Sequence, residues 1–256
     1  MLIDTSKCMG CRGCQAACKQ WNQLPAEDTT FEGSYENPPR YSAQTWMRVA
    51  FNEYEDENGR IQWRLAKEGC MHCGDAACMK VCPAGAIEYT DFGTVRVDDN
   101  KCIGCNYCVR ACPFNVMGFD RDDSVARKCT FCYDRLVNGY EPSCATACPT
   151  DAIVSGERGE LSTMAYDRVD QLKGDPRAPN PQVYGDAEVG GAGVIYVLGD
   201  EPEKYHLPAD PQVPWHAHLW NSLFRPLRVL VVIAIGFGLW TNHSRSKKIQ
   251  EKKKKA

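Results

Sequence analysis

The sequence predicts an α+β chain in which a small cysteine-bearing module occurs twice, a β-hairpin is inserted, and one C-terminal transmembrane helix follows. Three observations carry this reading. Sixteen cysteines fall into four groups of four with none left over. Alternating apolar residues flank turn signals between those groups, as short strands require. An apolar stretch, VLVVIAIGFGLW at 229–240, precedes a lysine-rich end. At 256 residues the chain has room for one large domain or two small ones.

The first element is CMGCRGCQAAC, residues 8–18. Cys8, Cys11, Cys14 and Cys18 have the spacing C-x2-C-x2-C-x3-C of the bacterial ferredoxin run. Two intervening residues let successive thiolates of a tight loop converge on different irons of one cubane. Small residues such as Gly10, Gly13 and Ala17 let backbone N–H groups approach the sulfides. The second group, Cys70, Cys73, Cys78 and Cys82, stretches one gap to four residues and is followed by Pro83. The third, Cys102, Cys105, Cys108 and Cys112, repeats the first spacing and is followed by Pro113. The fourth, Cys129, Cys132, Cys144 and Cys148, holds eleven residues between Cys132 and Cys144 and ends in Cys148-Pro149. A proline there fixes φ and removes a donor, steering the chain out of the loop. Disulfides are disfavoured, because thiols three apart bridge poorly and a chain this long builds a core without them. Structural zinc sites pair two C-x2-C knuckles across a longer spacer, and these runs exceed what one tetrahedral ion requires. The chemistry expected is therefore four [4Fe–4S] clusters; a zinc-stabilised scaffold is the alternative of another class.

In two-cluster ferredoxins the fourth cysteine of each run ligates the other cluster. The second and third groups are separated by nineteen residues, in which Ile87, Tyr89, Val95 and Val97 alternate around Asp91-Phe92-Gly93 as in a hairpin. They form one unit, which leaves the first and fourth groups to pair across the chain. The repeat of CPAGAI (82–87) as CPTDAI (148–153) supports a duplication. The expected ligand sets are Cys8, Cys11, Cys14 and Cys148; Cys18, Cys129, Cys132 and Cys144; Cys70, Cys73, Cys78 and Cys112; and Cys82, Cys102, Cys105 and Cys108. Exchange of the last ligand holds neighbouring clusters close, and four in a row make a wire.

The expected organisation follows: residues 1–18 with 113–157 as a discontinuous first module, 19–69 as an inserted hairpin region, and 70–112 as the second module. A C-terminal extension covers 158–214, a transmembrane helix 219–240 and a basic cytoplasmic tail 241–256. Within the insert, TWMRVAF (45–51) and RIQWRL (60–65) flank Asn58-Gly59 as hairpin strands. Trp21, Trp46 and Trp63 read as core, with a cover over a cluster as the alternative. In the extension, Leu161, Met164, Ala165, Val169 and Leu172 share one helical face over 159–174, with Gly174 as the stop. VIYVL (194–198) reads as a buried strand. GGAG (190–193) lacks the third glycine of a dinucleotide fingerprint, so neither flavin nor NAD is expected. Lys7, Lys101 and Lys128 each precede a first cysteine, where they either raise a cluster potential or are merely solvated.

Charge separates body from tail. Arg245, Lys247, Lys248 and Lys252 to Lys255 face one acid, Glu251, beyond Thr241. Of the net −3, the body then carries −9, with 23 basic and 32 acidic residues, which makes nucleic acid a poor partner. The stretch from Leu219 to Trp240 is long enough to span a bilayer, with Arg225 and Arg228 able to snorkel and Trp215, Trp220 and Trp240 at belt positions. An interfacial helix is the alternative. The basic tail sets a cytoplasmic C-terminus, which leaves the cluster domain on the outer, periplasmic face of the inner membrane. MLIDTSKC has no basic n-region or apolar h-region, so export is expected as a folded, cluster-loaded chain attached to a partner that bears the signal.

The motifs CQAACKQWN (14–22), GCMHCGDAAC (69–78), CIGCNYCVRACPFN (102–115), KCTFCYDR (128–135) and YHLPADP (205–211) resemble the iron–sulfur subunits of membrane-bound molybdopterin oxidoreductases. More narrowly, the chain is similar to beta subunits of respiratory formate dehydrogenases. The resemblance implies a division of labour. A catalytic subunit with a molybdenum or tungsten pterin oxidises formate, and this chain carries electrons to a membrane cytochrome b that reduces quinone. No pterin is expected here and no catalytic site, since no base–nucleophile constellation or open metal site is visible. The same relay in another molybdopterin oxidoreductase or in a hydrogenase is the alternative.

Overall fold

The computed structural model describes residues 1–56, 58–219, 227 and 230–243. Met1–Pro214 form one compact unit and Trp215–Ala256 a second.

In the first unit β1 (Leu2–Asp4) leads into the first cysteine loop, and α1 (Gly13–Trp21) starts directly after Arg12, whose φ is 60°. β2 (Met47–Glu55) and β3 (Ile61–Gly69) form an antiparallel hairpin in register from Met47↔Gly69 to Glu55↔Ile61. Both strands run further than 45–51 and 60–65. β2 reaches Glu55 because the turn is tight: the Asp56 carboxylate accepts the Asn58 and Arg60 N–H groups at 2.9 and 3.0 Å, and Gly59 takes a φ of 74°.

The next stretch repeats one pattern: cysteine loop, short helix, proline, short hairpin. α2 (Ala77–Lys80) precedes β4 (Ile87–Tyr89) and β5 (Val95–Val97), which pair as the alternation from Ile87 to Val97 predicts. α3 (Tyr107–Ala111) precedes β6 (Gly118–Asp120) and β7 (Val125–Arg127), a hairpin that three-residue strands leave almost without a sequence signal. α4 (Tyr133–Val137) and α5 (Ser143–Thr146) precede β8 (Ile153–Val154).

The extension is α6 (Arg158–Leu172), β9 (Gln182–Tyr184) and β10 (Ile195–Leu198). Its strands join the start of the chain in one sheet, ordered β8-β1-β10-β9, with β1 parallel to β10 and the other pairs antiparallel. β10 is buried along its whole length, as expected of VIYVL. α6 lays Leu161, Ala165, Val169 and Leu172 on Leu2, Ile195 and Val197. Burying a leucine in this way contributes about 1.5–3 kcal/mol. Met164, expected on that face, is 47 % exposed. Helical spacing puts it at the margin of the stripe formed by Leu161, Ala165, Val169 and Leu172.

The tryptophans divide. Trp46 is core, its Nε1 donating to the Ala43 carbonyl at 2.7 Å. Trp21 and Trp63 are corrections to the core expectation, at 43 % and 40 % exposed. Trp21 donates to Asp134 at 2.8 Å under the Arg135 guanidinium, and Trp63 stacks on Tyr35 at the outer face of the hairpin.

In the second unit α7 (Trp215–Leu219) is described, as is a helix over 230–243 whose apolar residues are exposed. The expected span 219–240 is not met among the described residues. None of their helices is long and apolar enough to cross a membrane. Residues 220–226, 228, 229 and the tail from 244 lie outside the described residues.

Candidate iron–sulfur centres

Each cysteine group begins in a loop whose backbone is bent the same way. The residue before the second cysteine has a left-handed φ in all four: Gly10 (69°), His72 (50°), Gly104 (68°) and Phe131 (59°). Glycine suits this at two positions; His72 and Phe131 adopt it at a cost that surrounding structure must offset. Left-handed residues next to right-handed ones turn successive N–H groups inward, forming a concavity for anionic sulfur. A short helix then presents a cysteine in each set: Cys14 on α1, Cys78 on α2, Cys108 on α3 and Cys144 on α5.

The thiols fall together in four sets. Cys8, Cys11, Cys14 and Cys148 line a small cavity with Val49, Thr150 and Ile153. Cys18, Cys129, Cys132 and Cys144 line a second with Trp46, Met47 and Phe131. Burial pushes the Cys73 thiol up, and the nearby Cys70, Cys78 and Cys112 add to the rise. Burial pushes Cys108 up to about 12, with Cys105, Cys82 and Cys102 as its charged neighbours. Fainter influences run between sets: Cys144 acts on Cys14, Cys70 on Cys129, and Cys108 on Cys78.

The donor set fits a cubane. All sixteen cysteines are free thiols. Among the described residues no three His, Cys, Asp or Glu side chains converge tightly enough to hold a single metal ion, whereas four thiols around a multi-iron core stand further apart. Burial raises Cys14, Cys78 and Cys129 to about 12. Four such thiols ionise together only around a core of positive charge. Backbone N–H groups point at sulfur: Phe131 N to Cys129 Sγ and Ala86 N to Cys82 Sγ, both at 3.3 Å. Burial works against Cys148, but the N–H groups of Thr150, Ile153 and Ala152 hold its thiol below the ordinary range. Such bonds help set cluster potentials. His72 is buried, accepts the Val95 N–H at Nδ1 (3.1 Å), and leaves Nε2 without a protein partner. That atom is one donor too many for the polypeptide alone.

Of the three lysines singled out by position, only Lys128 is buried. It donates to the Val95 carbonyl and, at 3.0 Å, to that of Cys129. Lys7 is exposed, and Lys101 pairs with Asp98 and Glu88 at the surface. A second buried lysine, Lys67 on β3, escapes motif reading because it belongs to none. Its signal is only that IQWRLAKEG loses polar alternation as it nears Cys70. The GGAG segment proves to be packing. Gly74 and Asp75 of the second loop donate to the Gly191 and Val189 carbonyls at 2.7 and 2.6 Å, and a Cβ on Gly74 would lie within 2.2 Å of Gly190 O.

Comparison with known proteins gives this geometry a family. Models of the 4Fe-4S dicluster domain match residues 7–86 and 61–158. The nitrate-inducible formate dehydrogenase iron-sulfur subunit of Escherichia coli (strain K12) is 43 % identical over 93 % of this chain and 82 % of its own. The formate dehydrogenase-O iron-sulfur subunit of the same organism is 40 % identical over 92 % and 78 %. The formate dehydrogenase iron-sulfur subunit of Haemophilus influenzae is 41 % identical over 90 % and 75 %. With two dicluster domains, four [4Fe–4S] clusters and sixteen cysteines to hold them, the chain belongs to the family of formate dehydrogenase iron–sulfur subunits.

Proposed function

We propose that this chain relays electrons from a molybdopterin or tungstopterin formate dehydrogenase subunit to a membrane cytochrome b, and so indirectly to quinone. The clusters supply one-electron chemistry. The polypeptide supplies thiolates, donors to sulfur, spacing and dry surroundings. The ligand sets are Cys8, Cys11, Cys14 and Cys148; Cys18, Cys129, Cys132 and Cys144; Cys70, Cys73, Cys78 and Cys112; Cys82, Cys102, Cys105 and Cys108. The single observation that carries the proposal is the convergence of thiols distant in sequence, Cys148 with Cys8, Cys11 and Cys14 in one cavity and Cys18 with Cys129, Cys132 and Cys144 in another; a single file of the four sets is part of the proposal.

The catalytic partner follows from the names borne by the relatives, which are subunits of formate dehydrogenases. The membrane assignment rests on the exposed apolar residues from Leu230 to Trp240 and on the basic residues beyond them. A single span from 219 to 240 would leave the cluster domain on the periplasmic face and the tail in the cytoplasm.

Purification from membranes tests this. The expected preparation is brown, contains iron for four clusters, and brings down a pterin protein with formate-dependent dye reduction. A nickel-containing partner would place the relay in a hydrogenase instead. A colourless preparation holding zinc and no iron would overturn it.

A further inference from the structure

We infer that Lys67 is a fixed positive charge that sets the potentials of the two clusters on either side of it. The inference rests on the ligand sets proposed above. Lys67 lines the cavity bounded by Cys8, Cys11, Cys14 and Cys148, and it also lines the one bounded by Cys18, Cys129, Cys132 and Cys144. It is the one described residue that lines both, so it stands in their common wall.

The setting holds it as a charge. Lys67 is 4 % exposed, and among the described residues no carboxylate pairs with it. Its Nζ lies 3.9 Å from Met1 Sδ, and the Tyr196 hydroxyl donates to its backbone carbonyl at 3.0 Å, fixing the strand. The titratable groups that face it are the neutral Tyr196 phenol and the thiols of Cys144, Cys129 and Cys14, which belong to the two sets. An unpaired ammonium is not tolerated in a protein interior without compensation. Here the compensation is the negative charge of the two thiolate-bound clusters.

A cluster with four thiolate ligands is an anion that gains one more negative charge on reduction. A cation in the dividing wall favours the reduced form of each, and salt does not screen it at that depth. Both potentials are raised by the same group. Lys128, also buried, donates to the Cys129 carbonyl of the second set at 3.0 Å, and Cys70 and Cys78 of the third set act on its charge.

The test is a redox titration, followed by electron paramagnetic resonance, of the intact complex purified from membranes. Lys67→Met should retain four reducible centres while two midpoints fall. The expected change in each reduction equilibrium is about tenfold, or ~59 mV for a one-electron couple. Lys67→Arg should keep both midpoints near their original values. Lys128→Met should lower a different pair that shares one centre with the first. Four centres with unmoved midpoints in Lys67→Met would overturn the inference, as would Lys67→Arg behaving like Lys67→Met. If Lys67→Met does not load, Lys67→Gln is titrated in its place. Failure of both to load, with Lys67→Arg loaded, assigns Lys67 to assembly and overturns a role in potential. Fewer than four centres in the unaltered complex would instead refute the ligand sets, independently of any variant.

Discussion

Replacing Cys148 with alanine distinguishes an exchanged ligand from a local one. By sequence neighbourhood, Cys148 belongs with Cys129, Cys132 and Cys144. In the fold it shares a cavity with Cys8, Cys11 and Cys14, more than a hundred residues away. The chain gets there because α5 ends at Thr146 and Pro149 turns the backbone toward β8, which pairs with β1 at the base of the first loop. Removing the thiol leaves the first cavity with three ligands and the second with its four, so about a quarter of the bound iron is at risk. The donors from Thr150, Ala152 and Ile153 lose their acceptor, but the β8–β1 pairing remains. Iron per chain and the paramagnetic spectrum of the reduced complex are the assay. The signal altered in Cys148→Ala should be the one altered in Cys8→Ala and in Cys14→Ala, with the Cys129→Ala signal untouched. Formate oxidation by dye at the catalytic subunit should persist while quinone reduction falls to background. A Cys148→Ala spectrum that matches Cys129→Ala would refute the exchange, and with it the geometry that places the clusters in file.

Three further outcomes are expected. Arg64 holds Asp200 through Nε and Nη2 at 3.0 and 2.8 Å, both side chains being 9 % exposed, and the Tyr54 hydroxyl donates to the same oxygen. Asp200→Ala strands the guanidinium and should cost about 3 kcal/mol, a fall in Tm of about 6–12 °C in a melt; an unchanged Tm would mean that the pair is solvated. Gly104→Ala puts a Cβ 2.6 Å from Ser124 O at a φ of +68°, so it should cost at least about 1 kcal/mol and weaken only the signal of the Cys102–Cys105–Cys108 set. Hydrogen bonding to Glu68 raises His206 above its ordinary 6.5, against burial and with help from Glu36. A raised folded pKa stabilises the fold fully below 6.5 and loses that contribution as pH climbs through the folded value. The Tm of the unaltered protein should therefore decline over that window more steeply than that of His206→Asn, and parallel curves would remove His206 from the account.

The cysteine spacing could be read from sequence because ligand chemistry leaves few alternatives. The hairpin of β4 and β5 was legible for a related reason, since alternation around a glycine turn has one common outcome. Other features depend on what lies across the fold. Gly10 and Gly104 advertise a left-handed φ, but His72 and Phe131 adopt the same φ with no such mark. Their edge-on contact at 4.9 Å shows that tertiary packing imposes it. Trp21 and Trp63 are apolar by composition and exposed by position, because a tryptophan can stack on Arg135 or Tyr35 as well as enter a core. Lys67 was invisible for the opposite reason. A lysine in a strand is ordinarily solvated, and only the meeting of two cavities makes it otherwise.

The distribution of burial along the file argues for a relay over a store of electrons. Cys18, Cys132 and Cys144 of the second set are buried, whereas each other set buries one thiol, Cys14, Cys70 or Cys108, so the second set is the best insulated of the four. At the first set Cys11 is exposed and Met9 is 60 % exposed beside it; at the fourth, Ile103 is 66 % exposed between Cys102 and Cys105. A store would profit from burial at every centre. A conductor needs an insulated interior and two apolar ends at which another subunit can exclude the remaining water by docking. The first cavity is closed by residues far apart in sequence, Cys148 joining Cys8, Cys11 and Cys14. In the same way Cys18 on α1 lines the cavity beside α5 with Cys129, Cys132 and Cys144.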